Sequence, residues 1–236
     1  MKKFLYQTLS KTHRESAIKR LRQMESQLLS PKARFAIPFL FKGSGFFKSM
    51  ACMQNPNEIE RLFDMVAQQK PKRLMEIGTA KGGALYLWCQ AADKQAKIVS
   101  IDLPDGEFGG GYPSCKIPFY QSFCQEGQEL HLLRADSHKL ETIRQAEEIF
   151  AGEKLDVLFI DGDHTYEGVK KDFEGYRHLV KPGGMIAPHD ILPRPDLPEI
   201  QVDRFWKEIK DQYSSVEIIG EEGSGRTIGW GVIQLP

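Results

Sequence analysis

Short apolar runs alternate with amphipathic segments over most of the 236-residue chain. Runs with strand character occur at 73–78, 97–103, 130–136, 155–161 and 184–190. Segments compatible with helices separate several of them, at 82–93, 138–151 and 166–180. Repetition of strand, helix and strand predicts right-handed crossovers, and therefore a parallel sheet with helices on both faces.

The C-terminal end has a different pattern. A helix near 200–213 precedes "SVEIIGEEGSGRTIGWGVIQL" (215–235), which predicts two strands joined by a Gly/Ser turn. These strands would form an antiparallel hairpin at the edge of the sheet. The fold class predicted is therefore α/β, with a Rossmann-like, doubly wound and mostly parallel seven-stranded sheet, a C-terminal antiparallel hairpin and an N-terminal helical extension.

The N-terminal extension is predicted from residues 1–54. Apolar residues spaced among basic ones at 4–29 are compatible with an amphipathic helix, and "SPKARFAIPFLFKGSGFF" (30–47) reads as an irregular, apolar connector. Asn55 as a cap and Pro56 at the first helical position then predict the helix that opens the main domain, 55–236.

Composition is that of a globular protein, with 41% hydrophobic and 27% charged residues and a net charge of +0. This balance gives no overall bias toward nucleic acid. The four cysteines lack CxxC or zinc-type spacing, which favours reduced thiols. The first residues lack the apolar core of a signal peptide, and no apolar run reaches membrane-spanning length. We therefore expect a cytoplasmic protein.

The loop after the first strand, "EIGTAKGG" (76–83), carries three glycines that permit tight turning and close approach to a ligand. The second strand ends in Asp102, placed where an acid can accept hydrogen bonds from both ribose hydroxyls. The third strand ends in Asp136 and Ser137, which suit an adenine edge or, alternatively, a helix cap. Together these strand ends predict a site for a nucleoside-type cofactor.

The fourth strand runs into two acids and an imidazole within four residues, in "LDVLFIDGDHTYEGVKKDF" (155–173). The fifth strand also ends in a His–Asp pair, His189 and Asp190. A simpler explanation is a strand-to-helix turn in which Asp163 or Thr165 caps the next helix. A cap explains one acid after the fourth strand. It does not explain why both the fourth and the fifth strand, which should be neighbours in the sheet, are followed by Asp and His.

These motifs resemble a known family. The pattern E-I-G-x-x-x-G-G, the acid closing the second strand, "FIDGDHTYEGVKKDF" and "LVKPGGMIAPHDI" are similar to class I S-adenosylmethionine-dependent methyltransferases. Within that class they resemble the metal-dependent O-methyltransferases that include macrolide and aminocoumarin sugar methyltransferases and cephalosporin-hydroxylase-like proteins. The resemblance covers roughly residues 55–236, and the loop "DGEFGGGYP" (105–113) resembles a substrate-side loop in some of them.

The resemblance implies roles for particular residues. S-adenosylmethionine would be bound by residues at three strand ends, namely Glu76, Gly78, Thr79, Gly82, Gly83, Asp102, Asp136 and Ser137. A divalent metal, Mg²⁺ or Mn²⁺, would be held by Asp161, His189 and Asp190. His164 stands at the position of the general base, so the implied catalytic residues are His164 and Asp161. Because Mg²⁺ prefers oxygen ligands, His189 would favour manganese, iron or zinc, or would support the ligands from outside the coordination sphere.

The function this implies is O-methylation of a hydroxylated small molecule, such as a sugar or a glycosylated metabolite. Asp102 also suits a nicotinamide cofactor, so a nicotinamide-dependent oxidoreductase is an alternative, although the glycine pattern matches it imperfectly. A non-catalytic S-adenosylmethionine-binding scaffold is a third interpretation, against which the presence of Asp161, His164 and Asp190 argues.

The basic N-terminus adds an expectation about partners. Residues 1–50 contain eleven Lys and Arg residues against only Glu15 and Glu25. We expect this segment to pack on the domain or in a homodimer interface. The alternative is peripheral membrane contact, with Phe4, Leu5 and Leu9 inserted and the basic residues on anionic lipid.

Overall fold

The computed structural model describes residues 2–106, 108, 110–221 and 227–236, with side chains from residue 10 onward. The helices are α1 Lys2–Gln27, α2 Pro31–Arg34, α3 Ile37–Leu40, α4 Pro56–Gln69, α5 Gly83–Ala91, α6 Ile117–Gln121, α7 Leu140–Phe150, α8 Tyr166–Tyr176 and α9 Val202–Ile209. The strands are β1 Arg73–Ile77, β2 Lys97–Ile101, β3 Glu129–Leu133, β4 Leu155–Ile160, β5 Val180–Pro188, β6 Ser214–Ile218 and β7 Trp230–Gln234.

The strands form one seven-stranded sheet in the order β3-β2-β1-β4-β5-β7-β6. The first five are parallel, whereas β7 runs antiparallel to both β5 and β6. From β1 the chain winds outward to β3 on one side and then returns to β4 on the other. The predicted fold class is confirmed, and the reversal of strand order between β1 and β4 is where such sheets bind ligands.

The central strand shows why these residues form a sheet core. Every residue of β4 is buried, as expected for a parallel strand covered on both faces. Alternate side chains enter two separate apolar clusters: Val157 and Phe159 join one, and Leu158 and Ile160 join the other. Phe159 stacks on Trp88 of α5, with ring centroids 3.9 Å apart.

The N-terminal extension is more ordered than the sequence suggested. The stretch expected to be an irregular connector contains the short helices α2 and α3, the first capped by the Ser30 hydroxyl, which accepts from the N–H of Ala33. Ala17 and Leu21 of α1 belong to the same apolar cluster as Phe63 of α4. The division at residue 54 stays a prediction, but the extension shares its core with the sheet.

Two further differences concern element ends. Strand β5 begins at Val180, four residues before the predicted start, and pairs with β4 from there. It ends at Pro188, so His189 and Asp190 follow it rather than lie in it. The hairpin is confirmed through the pairing of β6 with β7, while its Gly/Ser turn at 222–226 lies outside the described residues.

The described part of α1 and the other described helices contain no stretch long and apolar enough to cross a membrane. The side chains of Phe4, Leu5 and Leu9 lie outside the described part of the chain, so their insertion into a membrane stays a prediction.

The amino ends of the central strands are tied together by Asp156. Its Oδ2 accepts hydrogen bonds from the backbone N–H groups of Lys72 and Arg73, at 2.7 and 2.9 Å, and its Oδ1 pairs with Lys181 at 2.5 Å. Burial by itself raises the pKa of Asp156, but Lys181 and the two N–H groups outweigh it and hold that pKa below its ordinary value.

We expect Asp156→Asn to lower the free energy of unfolding at pH 7 by about 1–3 kcal/mol, because an amide cannot satisfy all three donors. The folded-state pKa of Asp156 lies below the unfolded one, so its stabilisation is fully present above about pH 4 and is lost as the pH falls further. Urea unfolding at pH 7 and pH 3 should therefore show a difference between variant and parent that shrinks in acid. The exposed Glu126→Gln is the control, and a difference independent of pH would contradict this role.

Candidate functional site

Two adjoining cavities open at the carboxyl ends of the parallel strands. Their volumes are about 420 and 290 Å³, and we call them the first and the second cavity. Residues common to both walls are Gly78, Asp102, Phe108, Gly110 and Gly162. The two spaces therefore form one elongated site that runs across the switch point between β1 and β4.

The glycine loop is shaped by close backbone packing. Gly78 has φ +99°, and a Cβ there would overlap the carbonyl oxygen of Asp161. Gly83 starts α5, and a Cβ there would overlap the backbone of Ala51 and Cys52. Only glycine permits both approaches, so the loop and the segment before α4 close around the first cavity.

Asp102 lies where the two cavities meet. Its side chain is buried, and Oδ2 accepts a hydrogen bond from the N–H of Gly111 at 3.0 Å. Burial raises its pKa, although backbone N–H groups of the loops on either side oppose that rise. A carboxylate held in this way at the cavity wall can accept bonds from two adjacent hydroxyls of a ligand.

Glu76 is not brought to either cavity wall. It is 2% exposed and accepts a hydrogen bond from the Ser100 hydroxyl at 2.7 Å. Burial is the main cause that raises its pKa to about 8. Thr79 lines the first cavity and its hydroxyl contacts the same Ser100 hydroxyl at 2.5 Å, so Glu76 supports the glycine loop from beneath.

Asp136 and Ser137 line the second cavity, beyond β3. Asp136 Oδ1 accepts from the N–H of His138 at 2.9 Å, within the turn that leads to α7. The Ser137 hydroxyl donates to the buried Asp172 at 2.7 Å. Both side chains thus have local partners, and the helix-cap alternative is not realised, since the residue before α7 is Lys139.

Four ionisable side chains converge at the floor of the first cavity. His164 Nδ1 lies 2.8 Å from Asp190 Oδ2, and His189 Nδ1 lies 3.0 Å from Asp161 Oδ1 and 3.2 Å from Asp190 Oδ2. All four line that cavity, and we call them the acid–imidazole cluster. The sequence predicted this meeting of the ends of β4 and β5, and the structure brings the four side chains together.

Pairing between the imidazoles and the carboxylates determines the direction of the pKa shifts of His164, His189 and Asp190. Although burial lowers the pKa of His189, the two carboxylates outweigh it and raise that pKa to about 10. His164 is shifted in the same direction, with Asp190 as its hydrogen-bond partner acting against burial. Burial also opposes ionisation of Asp190, but the two imidazoles hold its pKa well below its ordinary value.

The turn after β4 also contains the helix cap that the simpler explanation required. Thr165 caps α8, its hydroxyl accepting from the N–H of Gly168 at 3.0 Å. Asp163 Oδ1 accepts from the N–H of Thr165 at 2.9 Å. Capping therefore accounts for Asp163 and Thr165, whereas Asp161 and His164 belong to the cluster.

Three residues of the site were not found from the sequence. Gln54 donates from Nε2 to Asp161 Oδ2 at 2.5 Å, Arg194 donates to Asp190 Oδ1 at 3.2 Å, and the ring of Phe108 lies 4.9 Å from that of His164. Gln54 is 107 positions away from Asp161, and no local pattern connects them. Arg194, four residues after Asp190 in "HDILPR", and Phe108, in the loop 105–113, both lie in or beside segments that the sequence analysis singled out.

Residues 75–191 match the family model described as a methyltransferase domain. A relative, the uncharacterized protein y4gI of Sinorhizobium fredii, is 25% identical over 170 residues, which are 71% of this chain and 18% of the relative. The chain spans about a fifth to a half of the length of the curated relatives it matches.

Solved structures share the fold at low identity. An O-methyltransferase from Bacillus cereus in complex with SAH superposes with a TM-score of 0.61 at 16% identity, over 94% of this chain and 91% of that chain. The O-methyltransferase TomG from Streptomyces achromogenes, involved in tomaymycin synthesis and solved with SAM, gives 0.57 at 16%, over 89% and 94%. Nothing in these comparisons supports the oxidoreductase alternative.

Proposed function

We propose that the chain is a class I S-adenosylmethionine-dependent methyltransferase and that it methylates a hydroxyl group of a small molecule. The observation that carries this proposal is the His164–Asp190 pair in the wall that also contains the glycine loop and Asp102. One elongated site then contains an acid suited to ribose hydroxyls where the two cavities meet, and a candidate base in the first cavity. A sugar or glycosylated metabolite as acceptor is supported by the sequence resemblance alone.

The residues present fit S-adenosylmethionine. Asp102 would accept bonds from the ribose hydroxyls, the second cavity with Asp136 and Ser137 would take the adenine, and Gly78, Thr79 and Gly83 would border the methionine part in the first cavity. Bound there, S-adenosylmethionine would supply an electrophilic methyl group, with a neutral thioether as the leaving group.

His164 is suited to remove the proton of the acceptor hydroxyl. Its Nδ1 is engaged by Asp190 at 2.8 Å, which fixes the ring and leaves Nε2 as the atom that takes the proton. The backbone carbonyl of His164 accepts from the N–H of Gln201 at 2.8 Å, so the loop before α9 is tied to the base. Asp190 acts through His164 and is a positioning residue in this respect.

A divalent metal also fits the acid–imidazole cluster. His189 Nδ1 lies 3.0 and 3.2 Å from the carboxylates of Asp161 and Asp190, so these three side chains would offer one nitrogen and two oxygen donors to the same ion. We propose Asp161, Asp190 and His189 as its ligands. An ion held there would supply Lewis-acid chemistry, polarising the acceptor hydroxyl and favouring the neutral form of His164.

His164 itself is the competing nitrogen ligand. Ligand atoms of Asp161, His164 and Asp190 lie within 4.8 Å of one another. The assignment of His189 to the metal and of His164 to proton removal is therefore open to direct test.

Asp102→Asn should weaken S-adenosylmethionine binding by about 1.5–3 kcal/mol, because it removes charge-assisted bonds to the ribose. Asn keeps one acceptor for Gly111, so the loop should stay folded. Isothermal titration calorimetry measures the affinity, with the exposed Asp211→Asn as control. Unchanged affinity in Asp102→Asn would remove Asp102 from the cofactor site.

Dialysis against a chelator should abolish methyl transfer, and Mn²⁺ should restore it at least as well as Mg²⁺, because His189 offers a nitrogen ligand. His189→Asp should shift the preference toward Mg²⁺. Elemental analysis of the dialysed and reloaded proteins gives a readout independent of activity. Full turnover in excess chelator by a protein without bound metal would exclude a metal requirement.

His164→Gln should lower the single-turnover rate of methyl transfer by about 10²–10⁴-fold while leaving cofactor affinity and metal content nearly intact. The rate is measured with an acceptor identified by product mass spectrometry from a panel of hydroxylated metabolites. His131→Gln on β3 is the control. A normal rate would place the base elsewhere, with Asp163 as the next candidate, and a loss of bound metal would identify His164 as a ligand instead.

A further inference from the structure

A third cavity of about 660 Å³ lies between α1, the turn at 45–49 and the loop that precedes α6. Its wall carries four basic side chains, His13, Lys48, Lys81 and Lys116, and we call it the basic cleft. The remaining lining residues that the structure describes are uncharged. The cleft thus concentrates one sign of charge in a chain whose net charge is +0.

The lysines of the basic cleft differ from others in the same part of the chain. Lys32, outside the cleft, pairs with Glu60 and Asp64 at 2.8 and 2.6 Å. Within the described part of the chain, no carboxylate lies within ion-pair distance of Lys48, Lys81 or Lys116. Lys116 has instead a neutral partner, donating to the Tyr120 hydroxyl at 3.3 Å.

Lys116 shows the electrostatic cost of this arrangement. Burial lowers its pKa, and the charge of Lys81 acts in the same direction. Like charges gathered in a partly enclosed space destabilise one another, and an anion bound among them would relieve that repulsion. The cleft is therefore electrostatically complementary to an anionic ligand.

Close packing between α1 and the turn at 45–49 shapes the basic cleft. Gly45 adopts φ +57°, and a Cβ there would lie 2.6 Å from His13 Nδ1, so α1 packs directly on the turn that carries Lys48. Lys81 lines both the basic cleft and the first cavity. A molecule whose charged end lies in the cleft can therefore extend past Lys81 toward the acid–imidazole cluster.

We propose that the basic cleft binds a phosphate group of the methyl acceptor, which makes the acceptor a phosphorylated, hydroxylated small molecule. This inference rests on the proposed methyl transfer, because the acceptor hydroxyl has to reach His164. Lysine ammonium groups bind phosphate as point charges, and three of them around one space match a dianionic or more highly charged group. The exposed ring of Phe46 adds an apolar wall for the rest of the molecule.

The test is calorimetric titration of inorganic pyrophosphate into the full chain. We expect saturable binding that weakens at least tenfold in the double variant Lys48→Gln/Lys116→Gln. The control is Lys19→Gln/Lys42→Gln, which removes the same charge from exposed positions of α1 and the connector outside the cleft, and it should bind pyrophosphate like the parent. Because Lys116 is half-buried, the single reversal Lys48→Glu at an exposed position repeats the test without touching it.

Absence of pyrophosphate binding, or equal weakening in both double variants, would overturn the proposal. Cosedimentation with phosphatidylglycerol vesicles separates a lipid surface from a soluble phosphate ester. Vesicle binding that depends on Lys48 and Lys116 without pyrophosphate binding would assign the cleft to a membrane and also overturn it. Affinity for S-adenosylhomocysteine, measured on each variant, should stay unchanged. If it does and pyrophosphate fails, the phosphate inference falls while the proposed methyl transfer stands.

Discussion

The register of the parallel strands is the constraint on which the site depends. Ile77 pairs with Ile101 on one side and with Ile160 on the other, and Ile160 pairs with Pro188. The next residue of each strand must therefore fall in one row along the carboxyl edge. Gly78, Asp102, Asp161 and His189 occupy that row, and backbone hydrogen bonds continue the ladder to them: the N–H of Asp161 donates to Ile77 O at 2.8 Å and that of His189 to Ile160 O at 3.0 Å. A slip of one position in β4 would turn Asp161 away from its neighbours.

Asp161 of this row and the adjoining Asp190 are carboxylates with little exposure to water, and hydrogen bonds compensate both of them. Both oxygens of Asp161 and both of Asp190 accept hydrogen bonds from protein donors. Removing one partner would leave an uncompensated buried charge, which costs more than the pair contributes. The stability of the cluster therefore depends on the hydrogen bonds that Gln54, Arg194 and the two imidazoles donate to its carboxylates.

The parts of this architecture that could be predicted are those coded locally. Alternation of apolar runs and helical segments identified all five parallel strands, and their order implied that the ends of β4 and β5 would be neighbours. The resemblance implied a cofactor contact for Glu76, which stays a prediction, and the structure buries that carboxyl in β1, where it accepts a hydrogen bond from Ser100. The contact of Gln54 with Asp161, the helices of the connector and the basic cleft were not predicted. They depend on tertiary contacts between distant segments, which the periodicity of apolar residues does not encode. The side-chain partners of Ser137 were likewise set by α8, not by its own strand.

Gln54 lies in the segment that sequence patterns assign to the extension, yet its amide holds Asp161 and is itself held by the thiol of Cys52, which donates to Gln54 Oε1 at 2.9 Å. The stretch between α3 and α4 is accordingly both a linker and part of the wall. Any chimera that exchanges the extension between relatives has to place its crossover upstream of Ala51. A junction at residue 54 would replace Gln54 and Cys52 together with the extension. The exchange would then remove the hydrogen bond to Asp161 and alter the site as well as the surface.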